Sequence, residues 1–331
     1  MLPANPTLPS APLQPLALPW LEDAGIEVAI LRLDLIDPLI SGNKWFKLTH
    51  HVKAAQAAGA TGLISLGGAH SNHLHALAAA GQRFGFPTVG LLRGHAQDTP
   101  TTEDLQAFGM QLHWLGYGGY RARHEPGFWW PWRERYPHLY PVPEGGGGLD
   151  GALGCAEIVH QVRDQLAAVG WDDYHGWWLA AGTGTTLAGL LLAEDGTRPV
   201  YGAMAVPQGH GVPEHVAAII HTHCRSALAR DIGLSATSTL ADTPPSRASA
   251  LLQGCHLLDA SRGGFAKTDA HLLAFIQRCE QHTGMPLEPL YTGKALLALH
   301  DEVLAGQFAK GTRLIFVHTG GLQGKRAIAL R

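Results

Sequence analysis

The chain has 331 residues, 46% hydrophobic and only 15% charged, with a formal net charge of −3 and a pI near 6.7. That balance suits one large or two medium globular units with sizeable cores, and it excludes a disordered or fibrous chain. It offers no basic surplus to neutralise a phosphate backbone, so nucleic acid is not an expected partner.

The start of the chain, Met1 to Pro6, is proline-rich and lacks both a basic stretch and a continuous apolar run. It does not read as a signal peptide. Residues 28–33 read as a strand and 45–56 as a helix. A short buried strand at 62–66 is followed by helical periodicity over 72–84, a strand at 87–92, a helix at 102–108 and a strand at 111–115. This β-α-β-α-β order implies a parallel sheet with right-handed crossovers. The aromatic stretch 116–132 and the run Gly145-Gly146-Gly147-Gly148 mark a domain edge, with Trp129, Trp130 and Trp132 expected at an interdomain or subunit contact. The same rhythm then restarts: helix 153–168, strand 177–181, helix 185–193, strand 200–204. Residues 236–250 read as a loop before a strand-like 253–258, and the last strand is 312–317. The longest apolar runs are far too short to cross a bilayer, so no membrane partner is expected. The four cysteines, Cys155, Cys224, Cys255 and Cys279, are far apart and form no CxxC pair. That pattern fits a reducing, cytoplasmic setting rather than a disulfide scaffold or zinc ribbon. His70, His73 and His75 lie close together but match no metalloprotease pattern, and they read as surface or supporting histidines rather than metal ligands.

Four segments carry chemistry. Lys44 sits in Ser41-Gly42-Asn43-Lys44-Trp45-Phe46-Lys47-Leu48, where a glycine turn feeds a helix. Its amine could condense with an aldehyde or be a solvated charge. Gly67-Gly68-Ala69-His70-Ser71-Asn72-His73 follows a strand and opens a helix, the place where open α/β sheets present ligand-binding groups. Ser71 could equally be a helix cap. Trp177 to Gly189 takes a strand through Gly182-Thr183-Gly184-Thr185-Thr186 into a helix, collecting backbone N–H groups and a helix dipole that favour a phosphate. No lysine follows Gly184, so the Walker pattern fails, and Leu187 stands where a dinucleotide fingerprint needs its third glycine. Near the C-terminus come Tyr291-Thr292-Gly293-Lys294 and His318-Thr319-Gly320-Gly321. Thr319 lies just past a strand, where its hydroxyl could meet an aromatic ring nitrogen, or it could simply end the strand.

Together these segments resemble the fold type II pyridoxal-phosphate enzymes, and among them the 1-aminocyclopropane-1-carboxylate (ACC) deaminase and D-cysteine desulfhydrase family. The pattern Gly-Asn-Lys, two residues, Lys-Leu is matched by Gly42 to Leu48. Pro-x-Tyr-x-Gly-Lys is matched by Pro289 to Lys294, and His-Thr-Gly-Gly by His318 to Gly321. The resemblance implies two open, twisted, parallel-type sheet domains with flanking helices, and the cofactor in the cleft between them. The large cofactor-binding domain would comprise residues 1–47 plus 152–331, with a smaller domain, 48–151, inserted. Lys44 would hold pyridoxal phosphate through its amine, and Asn72 would bond the cofactor's 3-hydroxyl. Gly182, Thr183, Gly184, Thr185 and Thr186 would bind its phosphate and Thr319 would face the pyridine nitrogen. Ser71 and Tyr291 would flank a small amino-acid substrate. The implied activity is a deaminating lyase, D-cysteine desulfhydrase-like, with ACC deaminase or a dehydratase as alternatives, in a homodimer. Two departures weigh against ACC opening. A glutamate of the deaminases is replaced by Thr292, and a second active-site tyrosine by Phe265.

Overall fold

The structure is a computed structural model and describes Leu2, residues 9–231 and residues 246–328. Ten strands form two sheets. The six-stranded sheet runs β1 (Leu13–Pro15), β2 (Glu27–Arg32), β10 (Arg313–His318), β7 (Gly176–Ala181), β8 (Val200–Met204), β9 (Cys255–Asp259) in spatial order. The four-stranded sheet runs β5 (Gln111–Trp114), β4 (Thr88–Leu92), β3 (Gly62–Gly67), β6 (Leu139–Pro141). Every pairing is parallel except β1 with β2. Such sheets are covered on both faces, which is why β3, β4 and β7 are largely apolar with every residue buried, Ser65 and Thr88 being the polar exceptions. The chain leaves the larger sheet after β2 through the helix Asn43–Ala57 and rejoins it at β7 through the helix Gly148–Arg163.

Two apolar clusters sandwich the larger sheet. One holds Trp177, Leu179 and Ile315 against Cys155, Ile158 and Leu187; the other holds Trp178, Phe316 and Ile30 against Leu296, Leu299 and Phe275. Register then aligns the strand ends. Val317 lies opposite Leu179 and Leu31, so the residues after β2, β7 and β10 emerge side by side at one edge. The C-terminal edge of a parallel sheet is where ligand-binding turns collect. No helix among the described residues is long and apolar enough to cross a membrane.

Several expectations need correction. The helix expected at 102–108 is Pro100–Ala107, because Thr99 caps it: its hydroxyl accepts from Thr102 N while Thr102 Oγ1 accepts from Thr99 N. The helix expected at 153–168 starts at Gly148 and ends at Arg163, with a separate 3-10 turn Leu166–Val169. Of the loop expected at 236–250, residues up to 245 lie outside the described residues, and Ser246–Gln253 is a helix. Trp129 and Trp132 pack on Ile64, Leu66, Val89 and Leu91 of the smaller sheet, while Trp130 is exposed. Of the two readings of the histidines, the supporting one fits His73 and His75, which are buried and bonded to Ser65 Oγ and Asp104 Oδ2 respectively.

Candidate active site

Lys44 stands in the first turn of the helix Asn43–Ala57. The turn before it depends on Gly42, whose φ of +70° disfavours any side chain and whose added Cβ would lie 2.0 Å from Thr319 O. Asn43 N donates to that carbonyl. The Asn43 side chain faces two ways: its Oδ1 accepts from Lys44 Nζ at 2.8 Å and its Nδ2 donates to Thr186 Oγ1 at 2.9 Å. Lys44 is thereby tied to the threonine loop. Burial lowers its amine to about 7, the Lys47 charge pushing the same way and Cys155 and Glu288 opposing.

The threonine loop leaves β7 at Ala181 and starts the helix Thr185–Glu194 through Gly184 at φ +77°. A Cβ on Gly182 would touch the Tyr291 ring at 3.1 Å, and one on Gly184 would lie 2.6 Å from Val216. Thr183 and Thr185 share a hydroxyl hydrogen bond of 2.9 Å. Against this loop lies the glycine run. An added Cβ on Gly145 would meet Thr183 Cγ2 at 3.0 Å, and one on Gly147 would meet Thr185 Oγ1 at 3.6 Å. The run therefore lines the site as well as marking a sequence boundary.

Lys47, one turn after Lys44, is 4% exposed, yet among the described residues its ammonium has a single hydrogen bond, a long one of 3.4 Å to Gly145 O. No ion pair among the described residues includes it. Burial pushes its amine down. The sequence reading quoted Lys47 in its motif without giving it a role; the signal was its i+3 spacing from Lys44, which places both amines on one helix face.

Ser71 caps the helix Asn72–Phe84, accepting from Leu74 N at 3.2 Å, which leaves its O–H free to donate. Asn72 Nδ2 lies 2.7 Å from where a Cβ on Gly321 would stand, so that glycine keeps the amide's space open. Thr319 comes into the group through its carbonyl, already bonded to Asn43. Tyr291 is half-buried at the start of the helix Thr292–Leu304. Burial raises its phenol, and the Glu288 and Glu144 charges raise it further.

Glu288 is a residue the sequence reading missed. Fully buried, it accepts from Leu290 N, Tyr291 N and Thr292 N at 2.7, 2.8 and 2.6 Å and so holds the turn that presents Tyr291. Burial raises its carboxyl against those bonds. A carboxylate three residues before a helix-start tyrosine was the available signal. Thr292 is buried and its hydroxyl turns back to Glu288, while Phe265 lies with its ring 5.8 Å from that of Tyr291. All ten sequence-selected residues thus lie in five adjoining segments, linked through Asn43, Gly42, Gly182 and Gly321.

The residues present suit a phosphorylated aldehyde. Lys44 offers a partly neutral amine for the aldehyde, and the loop 182–186 offers hydroxyls and a helix N-terminus. Lys47 offers a buried ammonium that lacks an anion. Among the described residues no group of three or more His, Cys, Asp or Glu is arranged to hold a metal ion.

Comparison with known proteins agrees. A profile described as pyridoxal-phosphate dependent enzyme matches residues 9–320. The chain is 28% identical over 320 residues to a provisional 1-aminocyclopropane-1-carboxylate deaminase of Pyrococcus horikoshii, covering 91% of this chain and 86% of that protein. It is 28% identical over 322 residues to the D-cysteine desulfhydrase of Salmonella choleraesuis, covering 92% and 90%. A crystal structure of an ACC deaminase homologue superposes with a TM-score of 0.75 at 24% identity, covering 99% of this chain and 94% of that one.

Proposed function

The chain belongs to the pyridoxal-phosphate-dependent enzymes, with the two-sheet fold of their fold type II, and on that premise we propose that it is a deaminating lyase of the D-cysteine desulfhydrase kind. It would convert a small amino acid bearing a β-thiol to pyruvate, ammonia and sulfide. Pyridoxal phosphate supplies the electron sink when bound. Lys44 would hold it, and the same amine would serve as the base for the substrate's Cα proton. The Cβ–S bond would break with its electron pair leaving on sulfur, and one water would complete the conversion to the keto acid and ammonia. The loop 182–186 and Lys47 would hold the phosphate, Asn72 the 3-hydroxyl, and Thr319 would face the ring nitrogen. Ser71 and Tyr291 flank the substrate.

The observation that carries this reading is the Lys44 amine, brought to about 7 and anchored through Asn43 to the threonine loop. An amine poised near neutrality can serve as both holder and base. ACC ring opening is the second reading, favoured by the equal identity to the Pyrococcus protein. Thr292, turned away toward Glu288, and Phe265, without a hydroxyl, count against it.

The two sheets support a division into residues 1–47 plus 152–331 and 48–151. The free thiols Cys155, Cys224, Cys255 and Cys279 support a reducing, cytoplasmic setting. A homodimer is adopted from the family resemblance. The test is keto-acid release by purified protein from D-cysteine, L-cysteine, β-chloro-D-alanine, D-serine and ACC, with Lys44→Ala alongside. Release from D-cysteine and β-chloro-D-alanine is expected, abolished in the variant; release from ACC alone would overturn the first reading.

A further inference from the structure

Lys294 completes the tyrosine motif, and the reaction just described gives it no task. It is 1% exposed, on the helix Thr292–Leu304, and no ion pair among the described residues includes it. Its ammonium instead donates to two carbonyls of one turn, Ser261 O at 2.8 Å and Gly264 O at 3.1 Å. A buried ammonium satisfied by main-chain carbonyls is costly, and it pins whatever it holds.

The pinned turn follows β9 and is tightly specified. Asp259 Oδ1 accepts from Ser261 N at 2.8 Å, and Arg262 is paired with Asp269. Arg262 and Ala266 stand at φ +54° and +62°, a left-handed conformation that L residues rarely hold without outside support. Between them lies Phe265. It is 48% exposed, with its ring tilted 58° against Tyr291, and Tyr291 in turn backs Gly182 of the threonine loop. The support of Lys294 is thus spent on aiming one exposed phenyl ring at the side of the site.

We propose that Lys294 is a positioning residue for substrate selection, holding the 261–267 turn so that Phe265 forms an apolar wall beside Tyr291 for the substrate's β-substituent. A phenyl face favours a thiol or chloride and gives no hydrogen bond to a hydroxyl or carboxylate, which would be desolvated without a partner. The inference rests on the proposed elimination and names its side-chain class.

The test compares holoenzyme of the wild type, Lys294→Met, Phe265→Ala and the double variant. Keto-acid release from β-chloro-D-alanine gives KM and kcat, and trypsin cleavage after Arg262 and Lys267 is followed by mass spectrometry. Each single variant is expected to raise KM about tenfold while kcat changes less than about threefold. The double variant should do no more than the larger single one, and only variants lacking Lys294 should be cut faster. An unchanged KM in Phe265→Ala overturns the proposal, even where Lys294→Met fails to fold. Additive KM effects overturn it too, leaving Lys294 a stabiliser of the turn. If the wild type releases no keto acid from any amino acid, the elimination reading has failed. The wall is then judged by the affinity for β-chloro-D-alanine, bound without turnover and read in the cofactor's visible band. Weaker binding in Phe265→Ala upholds it, and equal binding overturns it.

Discussion

Lys44 and Lys47 show how one turn of helix assigns two different tasks to the same side chain. Lys44 is brought to about 7, chiefly by burial, so at pH 7 about half of it is neutral, against roughly one part in several thousand for a free lysine. The neutral amine is the reacting form. The rate at which the cofactor-free protein takes up pyridoxal phosphate, followed by absorbance, should therefore rise as pH passes upward through about 7 and level off above it. The Lys47 charge helps to lower Lys44, so Lys47→Met should move that rise to higher pH. The same variant should weaken cofactor binding about 10- to 100-fold, the loss expected of a charged hydrogen bond to phosphate. Equilibrium dialysis measures the second effect independently of the first.

The glycines at the ends of the strands look alike in sequence, yet the structure separates them sharply. Gly42 has φ +70° and a carbonyl 2.0 Å from any Cβ, whereas Gly68 has nothing within 4 Å. In denaturant unfolding, Gly42→Ala should cost more than about 2 kcal/mol, and Gly68→Ala should stay within about 0.5 kcal/mol. Elements with long apolar runs or clear helical periodicity were legible in the sequence: β3, β4, β7 and the helices Asn72–Phe84 and Thr185–Glu194. The edge strands β1 and β6 were not, being three residues long and each ending in proline. Nor was the helix Val212–Asp231, whose Val212 and Val216 back Gly184; the available signal was the helical spacing of Val212, Val216, Ile219 and Ile220.

At the scale of the molecule, the helix Thr185–Glu194 that follows the threonine loop is anchored far from the site. Glu194, at its C-terminal end, is 1% exposed and accepts from Trp177 Nε1 at 2.8 Å, from Tyr174 OH, and from Arg163 and Arg198 at 2.9 and 3.0 Å. Burial alone would raise its carboxyl, but the bonds from Tyr174, Trp177 and Thr197 outweigh burial and hold it below the ordinary range. A carboxyl so lowered contributes stability above its unfolded value, and that stability is lost as pH falls through the folded one. Glu194→Ala should cost about 2–3 kcal/mol at neutral pH, less than a fully buried pair because both arginines keep contact with water. The difference from the wild type should shrink on acidification, as read by urea midpoints at pH 7 and pH 4.

The sequence by itself determined the family, the parallel α/β rhythm and the cofactor class, and singled out Lys44 as a candidate, because each is written in contiguous residues: a strand, a turn and a helix start. It could also place Tyr291, Thr319 and the 182–186 loop in separate motifs. Only the tertiary structure decided which groups bear on one another. That Lys47 is buried without an anion, that Glu288 holds Tyr291 and that Thr292 faces Glu288 follow from strand ends meeting at one sheet edge. So does the reach of Lys294 across 30 residues of chain to Gly264. Burial and charge are properties of that meeting and of no segment alone, and they are what turn a lysine at a helix start into an amine near neutrality.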